Sequence, residues 1–203
     1  MRILRAADQR TTPWKNGGGV TTEICVSPAG AGLDDFDWRV SMAKVASDGL
    51  FSCFSNVDRS LAVLSGEGIE LTVADAPPVK LTPSTPPFSF PGDAATLGRL
   101  LDGPILDLNI MVRRDKYRHN VRRISLDAPR TVVVGAHPYV LLCAEGGLRI
   151  ETPENEILLS PLDAAFVEEA GTKMRLYPTP IAVAYLVEIA DIGCFRSASI
   201  EQD

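Results

Sequence analysis

The densest chemistry near the start of the chain is Trp14-Lys15-Asn16, followed by Gly17-Gly18-Gly19. An indole, a cation and an amide stand just before a turn with little side-chain cover. Glycines let backbone N–H groups come close to a ligand, and successive N–H groups form an anion-binding concavity. A plain hairpin beside a core tryptophan would need the glycines as well, but it has no use for Lys15. Ser41 lies in the alternating stretch Trp38–Lys44, where Trp38, Val40 and Met42 share one face and Arg39, Ser41 and Ala43 the other. It can donate to a ligand. No G-x-S-x-G elbow surrounds it and the nearest histidine is His119, which argues against serine hydrolase chemistry.

Arg59 directly follows Asp58. The pair reads either as a surface contact worth about 0–1 kcal/mol or as a guanidinium fork held by Asp58. Such a fork would offer a carboxylate two parallel charge-assisted bonds. In Leu106–Arg113 the residues Leu106, Leu108, Ile110 and Val112 form a core face. Asp107, Asn109, Met111 and Arg113 form the other. That second face is either solvated or the wall of a pocket. Met111 is odd on a wet face and natural in a pocket, where Asn109 could donate and accept at once.

Strands must position these groups. The chain has 203 residues, 45% hydrophobic and 23% charged, with 20 Lys+Arg against 26 Asp+Glu. That balance fits a globular protein with a sizeable core. The net charge of −6 argues against general binding to nucleic acid or anionic membranes. No apolar run is long enough to span a bilayer, and Met1–Arg10 lacks a signal-peptide core, so the reading places the protein in the cytoplasm. Short alternating or β-branched runs dominate: Val20–Val26, Trp38–Val45, Ser60–Leu64, Ile69–Val73, Ile105–Val112, Thr131–Val134, Tyr139–Cys143, Leu148–Glu151 and Ile181–Ile189. Glycine-rich turns separate them, and only Ala94–Leu101 reads as one or two turns of helix. The pattern predicts an all-β fold.

The halves resemble each other. Leu64-Ser-Gly-Glu-Gly-Ile-Glu-Leu71 matches Cys143-Ala-Glu-Gly-Gly-Leu-Arg-Ile150, and Leu81–Phe88 matches Leu159–Phe166 at nearly the same offset. The expected layout is two jelly-roll-like barrel halves, 1–118 and 119–203, the first carrying a ligand pocket. It has the look of a bicupin. Metal-dependent cupins place two histidines and a glutamate on the strand that here reads Ile69-Glu-Leu-Thr-Val73, which contains no imidazole. Glu70 alone makes no metal site. His137, before a proline, reads as a loop residue. No metal and no cofactor are therefore expected. Cys25, Cys53, Cys143 and Cys194 form no C-x-x-C and read as small buried thiols. The basic run Arg113–Arg123 reads as an inter-barrel linker that pairs with acidic groups elsewhere, and lacks the pattern of a nucleic-acid motif.

Pro13-Trp-Lys-Asn-Gly-Gly-Gly-Val-Thr-Thr-Glu-Ile24 resembles the signature block of the HutD/Ves family. Further blocks follow in the family's order: Trp38–Ala43 with Asp48-Gly49 and Phe51-Ser52, then Asp58-Arg59 with Leu64–Gly68. Phe90-Pro-Gly-Asp93, Gly103-Pro104, Asp107–Met111 and Arg113-Arg114 complete the series. The similarity is strong over the N-terminal half and weak beyond it. Departures fall at Leu50, where relatives carry Pro, and at Ser55-Asn56, where Pro-Gly is usual. The resemblance implies a bicupin associated with histidine utilisation or stress responses, with no secure enzymatic reaction. Cupins often pair through barrel strands, so a homodimer is also expected.

Three functions compete. The first is a non-catalytic protein that binds a small carboxylate through Trp14, Lys15, Asn16, Ser41, Arg59, Asn109 and Met111. It would act as a sensor or regulator, and the family association offers urocanate, formate or an N-formyl or formimino glutamate as ligand. The second is a metal-free enzyme acting on a histidine-degradation intermediate, with Lys15 or Glu23 as acid–base group. The third is a protein–protein regulator using barrel edges or Arg113–Arg123.

Overall fold

The computed structural model describes residues 1–14, 17–135 and 138–193. Among them the one helical segment is a 3-10 turn at Ala6–Asp8, and all other regular structure is strand. The all-β expectation holds. The chain forms two compact units, Gln9–Tyr117, and Met1–Asp8 together with Arg118–Asp203. In chain order the strands begin with β1 (Arg2–Leu4), β2 (Arg10–Pro13), β3 (Gly19–Ser27), β4 (Trp38–Val45), β5 (Gly49–Leu50) and β6 (Val57–Ser65). Then come β7 (Ile69–Val73), β8 (Val79–Leu81), β9 (Phe88–Pro91), β10 (Thr96–Leu100) and β11 (Ile105–Arg113). The last six are β12 (Tyr117–Leu126), β13 (Arg130–Val133), β14 (Tyr139–Glu151), β15 (Glu156–Leu159), β16 (Ala164–Val167) and β17 (Lys173–Asp191).

The unit Gln9–Tyr117 is built from two antiparallel sheets, ordered β2-β3-β4-β11-β6-β9 and β5-β10-β7-β8. Both contribute to one apolar cluster, with Ala43, Val45, Leu61, Val63 and Ile105 from the first and Ile69, Leu71 and Leu81 from the second. The link between β6 and β7 turns at Gly66 and Gly68, both at positive φ, 94° and 127°. A Cβ on Gly68 would collide with the Leu81 carbonyl, so this turn has room for no side chain.

Two elements differ from the sequence expectation. Ala94–Leu101 is not helical. Thr96–Leu100 pairs with β7 from Thr96↔Val73 to Leu100↔Ile69. Gly98 fits tightly between the Phe51 ring and Ile69, and that tertiary packing outweighs a weak local helix preference. The basic run is not a bare linker either, since Tyr117–Leu126 is the strand β12. Its first cations do pair as expected. Arg114 reaches Asp58 at 2.7 Å and Asp93 at 3.1 Å, while Lys116 reaches Asp37 at 2.6 Å. Arg113 donates to the carbonyls of Phe36, Ser55 and Asp34. Asn56 stands at φ 60°, the left-handed region that asparagine tolerates best among side-chain-bearing residues.

In the other unit a seven-stranded sheet runs β1-β16-β14-β17-β12, with β13 on β17 and β15 on β14. The division by halves at 118/119 assigned Met1–Asp8 to the first barrel. Instead β1 pairs with β16, Arg2↔Phe166 to Leu4↔Ala164. Asp163 holds the segment by accepting from Arg5 at 2.7 Å and from the Ala6 amide at 2.8 Å. The long β14–β17 ladder runs from Tyr139↔Glu188 to Glu151↔Arg175, bulged between Cys143 and Gly147. The stretch matched to Leu64–Leu71 is here one bulged strand rather than strand, turn and strand. Cys25 and Cys143 are buried as expected, but Cys53 is exposed because it lies in the loop after β5. Cys194 and His137 lie outside the described residues.

Candidate functional site

Strand pairing lays out the inner face of the first unit as a grid. On β11 the inward residues are Asp107, Asn109 and Met111. Across β4 they face Ala43, Ser41 and Arg39, and across β6 they face Val63, Leu61 and Arg59. This face opens into a cavity of about 800 Å³. Trp14, Thr21 and Glu23 wall it from the β2–β3 hairpin, and Phe51 and Phe54 from the loop after β5. Of the seven residues singled out from sequence, the cavity brings together Trp14, Ser41, Arg59, Asn109 and Met111. Lys15 and Asn16 lie outside the described residues.

Arg59 is the centre of the arrangement. Neighbouring residues on a strand point to opposite faces, so Asp58 cannot hold it. Asp58 instead pairs with Arg114. The Arg59 side chain turns inward and is only 5% exposed. The Phe51, Phe54 and Phe90 rings lie 5.2, 5.8 and 5.3 Å from its guanidinium carbon. Gly92 leaves space for its methylene stem, where a Cβ would press at 3.2 Å. Its donors reach the Asn109 side-chain oxygen at 3.4 and 3.2 Å and the Ser52 carbonyl at 3.3 Å. All three bonds are long for N–H···O. Among the described residues no carboxylate oxygen comes within ion-pair distance of it. Burial lowers its pKa to about 10, offset in part by Asp107, and it remains a cation near neutrality. A desolvated cation with weak partners is an unsatisfied site for an anion.

Asp107 escaped the sequence reading of the site. Its side chain is 1% exposed and lines the same cavity. Burial pushes its pKa up to about 7, against the pull of Arg59 and of the Ala43 backbone amide. Its Oδ1 is buried without a hydrogen-bond partner. Alternation had put Asp107 on the right face. What hid its burial was the flanking register, since Ala43 and Val63 come from strands far away in sequence.

The rim is more conventional. Glu23 and Arg39 form an ion pair at 3.0 Å on adjacent strands. The Trp14 indole donates to Thr21 Oγ1 at 2.7 Å and packs beside the apolar cluster. Gly19 is needed beneath it, because a Cβ there would lie 3.2 Å from the ring and nearer still to the Lys44 carbonyl. Met111 packs with Phe36 and Val57. The cavity's polar side chains are guanidinium, carboxylate, amide and hydroxyl groups and the Trp14 indole. No histidine occurs in Gln9–Tyr117, so this set does not fit the imidazole-rich metal centre of metal-dependent cupins. Among the described residues no helix is long and apolar enough to cross a membrane.

The HutD family model matches residues 6–182. A protein from the hutC 3′ region of Pseudomonas putida is 34% identical over 157 residues, 77% of this chain and 80% of its own. Protein Ves of Cronobacter sakazakii is 35% identical over 165 residues, 80% of this chain and 84% of its own. Among solved structures, a conserved protein of unknown function from Pseudomonas aeruginosa superposes with a TM-score of 0.86 at 32% identity, covering 93% of this chain and 98% of its own. HutD from Pseudomonas fluorescens, solved in a formate condition, gives 0.76 at 29% identity, covering 94% and 98%. A cupin barrel protein from Leptotrichia buccalis, 9% identical with a TM-score of 0.59, shares the fold alone.

Proposed function

The chain belongs to the HutD family, and from that premise we propose that it is a non-catalytic binding protein for a small carboxylate, acting as a sensor or regulator in histidine utilisation. The observation that carries this reading is the caged Arg59. A carboxylate entering the cavity can accept two parallel bonds from its fork and replace the long contacts to Asn109 and Ser52. The three phenyl rings keep the guanidinium poorly solvated, so an incoming anion displaces little water from it. Asn109 and Ser41, neutral and adjacent on the grid, can fix the ligand's orientation without adding charge. The histidine-utilisation setting is supported by the hutC-region relative and by HutD of P. fluorescens. Formate, urocanate, N-formylglutamate and formiminoglutamate are the carboxylates to test.

The enzymatic alternative has less to stand on. Of its two acid–base candidates, the carboxylate of Glu23 is engaged by Arg39. The deciding experiment is thermal unfolding of the protein with each of the four carboxylates, alongside Arg59→Ala. A ligand at 100 times its Kd adds about 2.7 kcal/mol, or about 5–10 °C for a chain of this size. The reading expects a selective shift that vanishes in Arg59→Ala. A panel without any shift, or a shift that survives the substitution, overturns it. Conversion of any of the four by pure protein would move the assignment to an enzyme.

A further inference from the structure

Besides Arg59, the cavity holds a buried carboxyl group, Asp107, that is met by the Ala43 backbone amide and leaves its Oδ1 without a partner. Asp107 stands two residues from Asn109 on the same inward face of β11. By strand rise its Cα lies about 7 Å from that of Asn109. Its neighbours across the sheet are Ala43 and Val63, and the opposite sheet presents Ile69 and Gly98 to the same cavity. No side chain among these can satisfy a carboxyl group. Oδ1 is fully buried with no partner, and no cation comes within ion-pair distance among the described residues.

A carboxyl in such a place is costly to the fold. Burying a carboxyl with one oxygen unpaired is unfavourable, and an apolar residue of similar volume would serve packing better. The β14–β17 ladder of the other unit shows what packing alone selects. Its inward residues are Leu141 and Cys143 facing Leu186 and Ala184, all buried in the core. Asp107 has no such packing role.

We infer that Asp107 is the second recognition group of this cavity, and that the ligand is a carboxylate bearing an N–H donor at its far end, as an amine, amidine or azole ring does. The inference rests on the carboxylate reading of Arg59 and deepens it. Arg59 takes the anionic end, and the aspartate oxygen accepts from the donor end. A second carboxylate placed at that end would meet Asp107 as a like charge, so a ligand that presents one there binds more weakly than one that presents an N–H donor.

Matched probes test this by calorimetric titration. One pair is 5-aminopentanoate and pentanoate. The other is urocanate and 3-(3-furyl)acrylate, which keeps the shape and lacks the N–H. Formate, too short to span the site, reports the Arg59 end alone. The expected result is that the donor-bearing member of at least one pair binds about tenfold or more tightly than its twin, the scale of one charge-assisted hydrogen bond. In Asp107→Leu, checked for cooperative unfolding, the ratio falls to near one. Should that variant fail to unfold cooperatively, Asp107→Asn serves instead, and the preference for 5-aminopentanoate falls because a neutral amide cannot balance the ammonium. Twins that bind wild-type protein equally, or a ratio that survives both substitutions, overturn the inference. Carboxylate binding then still stands wherever Arg59→Ala abolishes it. If no probe, formate included, binds wild-type protein, both readings fall together.

Discussion

Two long antiparallel ladders in this molecule are built alike and filled oppositely. In the unit Gln9–Tyr117, β6 and β7 pair with β11 and β10, and the ladder is interrupted at Gly66 and Gly68. In the other unit β14 pairs with β17 throughout, and a bulge replaces the interruption. The unbroken ladder closes on itself with Leu141, Cys143, Leu148, Ile150, Leu176 and Ala184, all fully buried. The interrupted one carries Arg59, Asn109 and Asp107 inward and leaves a cavity of about 800 Å³. The packed unit and the hollow one therefore differ in the residues their strands turn inward. The hollow one pays in desolvated charge for what the packed one gains in contact.

The sharpest way to break the comparison is to hollow the packed unit. Leu141→Ala should lower the unfolding free energy by about 2–5 kcal/mol in urea denaturation, through lost transfer energy and a new cavity. A loss below about 1 kcal/mol would show that this core is looser than its burial indicates.

The converse test concerns acidity. Asp107 titrates in the fold at about 7, above the ordinary carboxylate range. Below pH 4 both folded and unfolded chains hold its proton and nothing is lost. Between about pH 4 and 7 the unfolded chain releases the proton while the fold retains it, so this group costs about 1.4 kcal/mol per pH unit. The cost levels off above 7. Arg59 and the Ala43 amide pull against that upward shift, and the other charged residues of the cavity wall are Arg10, Asp48 and the Glu23–Arg39 pair. Stability of wild type minus that of Asp107→Asn should accordingly fall from pH 4 to 7. A flat difference would mean the carboxyl is hydrated in solution.

Binding comes next in size. Arg59→Ala should weaken any carboxylate by about 1.5–3 kcal/mol, the worth of bonds to a charged group. It should also raise the apparent pKa of Asp107 further by removing its counter-charge. The smallest effect belongs to Asp58→Asn. It breaks a half-exposed pair with Arg114, so stability should drop by at most about 1 kcal/mol while carboxylate affinity is unchanged. Weakened binding in Asp58→Asn would restore Asp58 as the holder of Arg59.

Much of the frame was legible because period-two burial repeats in the residues themselves. Trp38–Val45 and Ile69–Val73 are strands at the expected bounds. The short edge strands β2 and β9 were not, since each ends in a proline and reads as a turn. For the site, alternation grouped Ser41 with Arg39 and Ala43, and Asn109 with Asp107 and Met111, but left open which face turns inward, and it missed that Arg59 lies within β6 rather than before it. It could not say which carboxylate serves which arginine. Asp58 beside Arg59 was the obvious partner by sequence and the wrong one by geometry, because strand neighbours diverge. The aromatic cage is the other hidden part, assembled from Phe51 and Phe54 in one loop and Phe90 on a distant strand.

The pairing of β1 with β16 bears on how the chain is made. Arg5 and its anchor Asp163 are 158 positions apart. A ribosome adding about 5–20 residues per second needs roughly eight to thirty seconds to bridge that gap. Every partner of β2 through β11 has emerged by Tyr117, so the hollow unit can be complete while the packed one is still being written. β1 thus waits for its partner while β2 to β15 are made, and it docks only when β16 arrives to receive it.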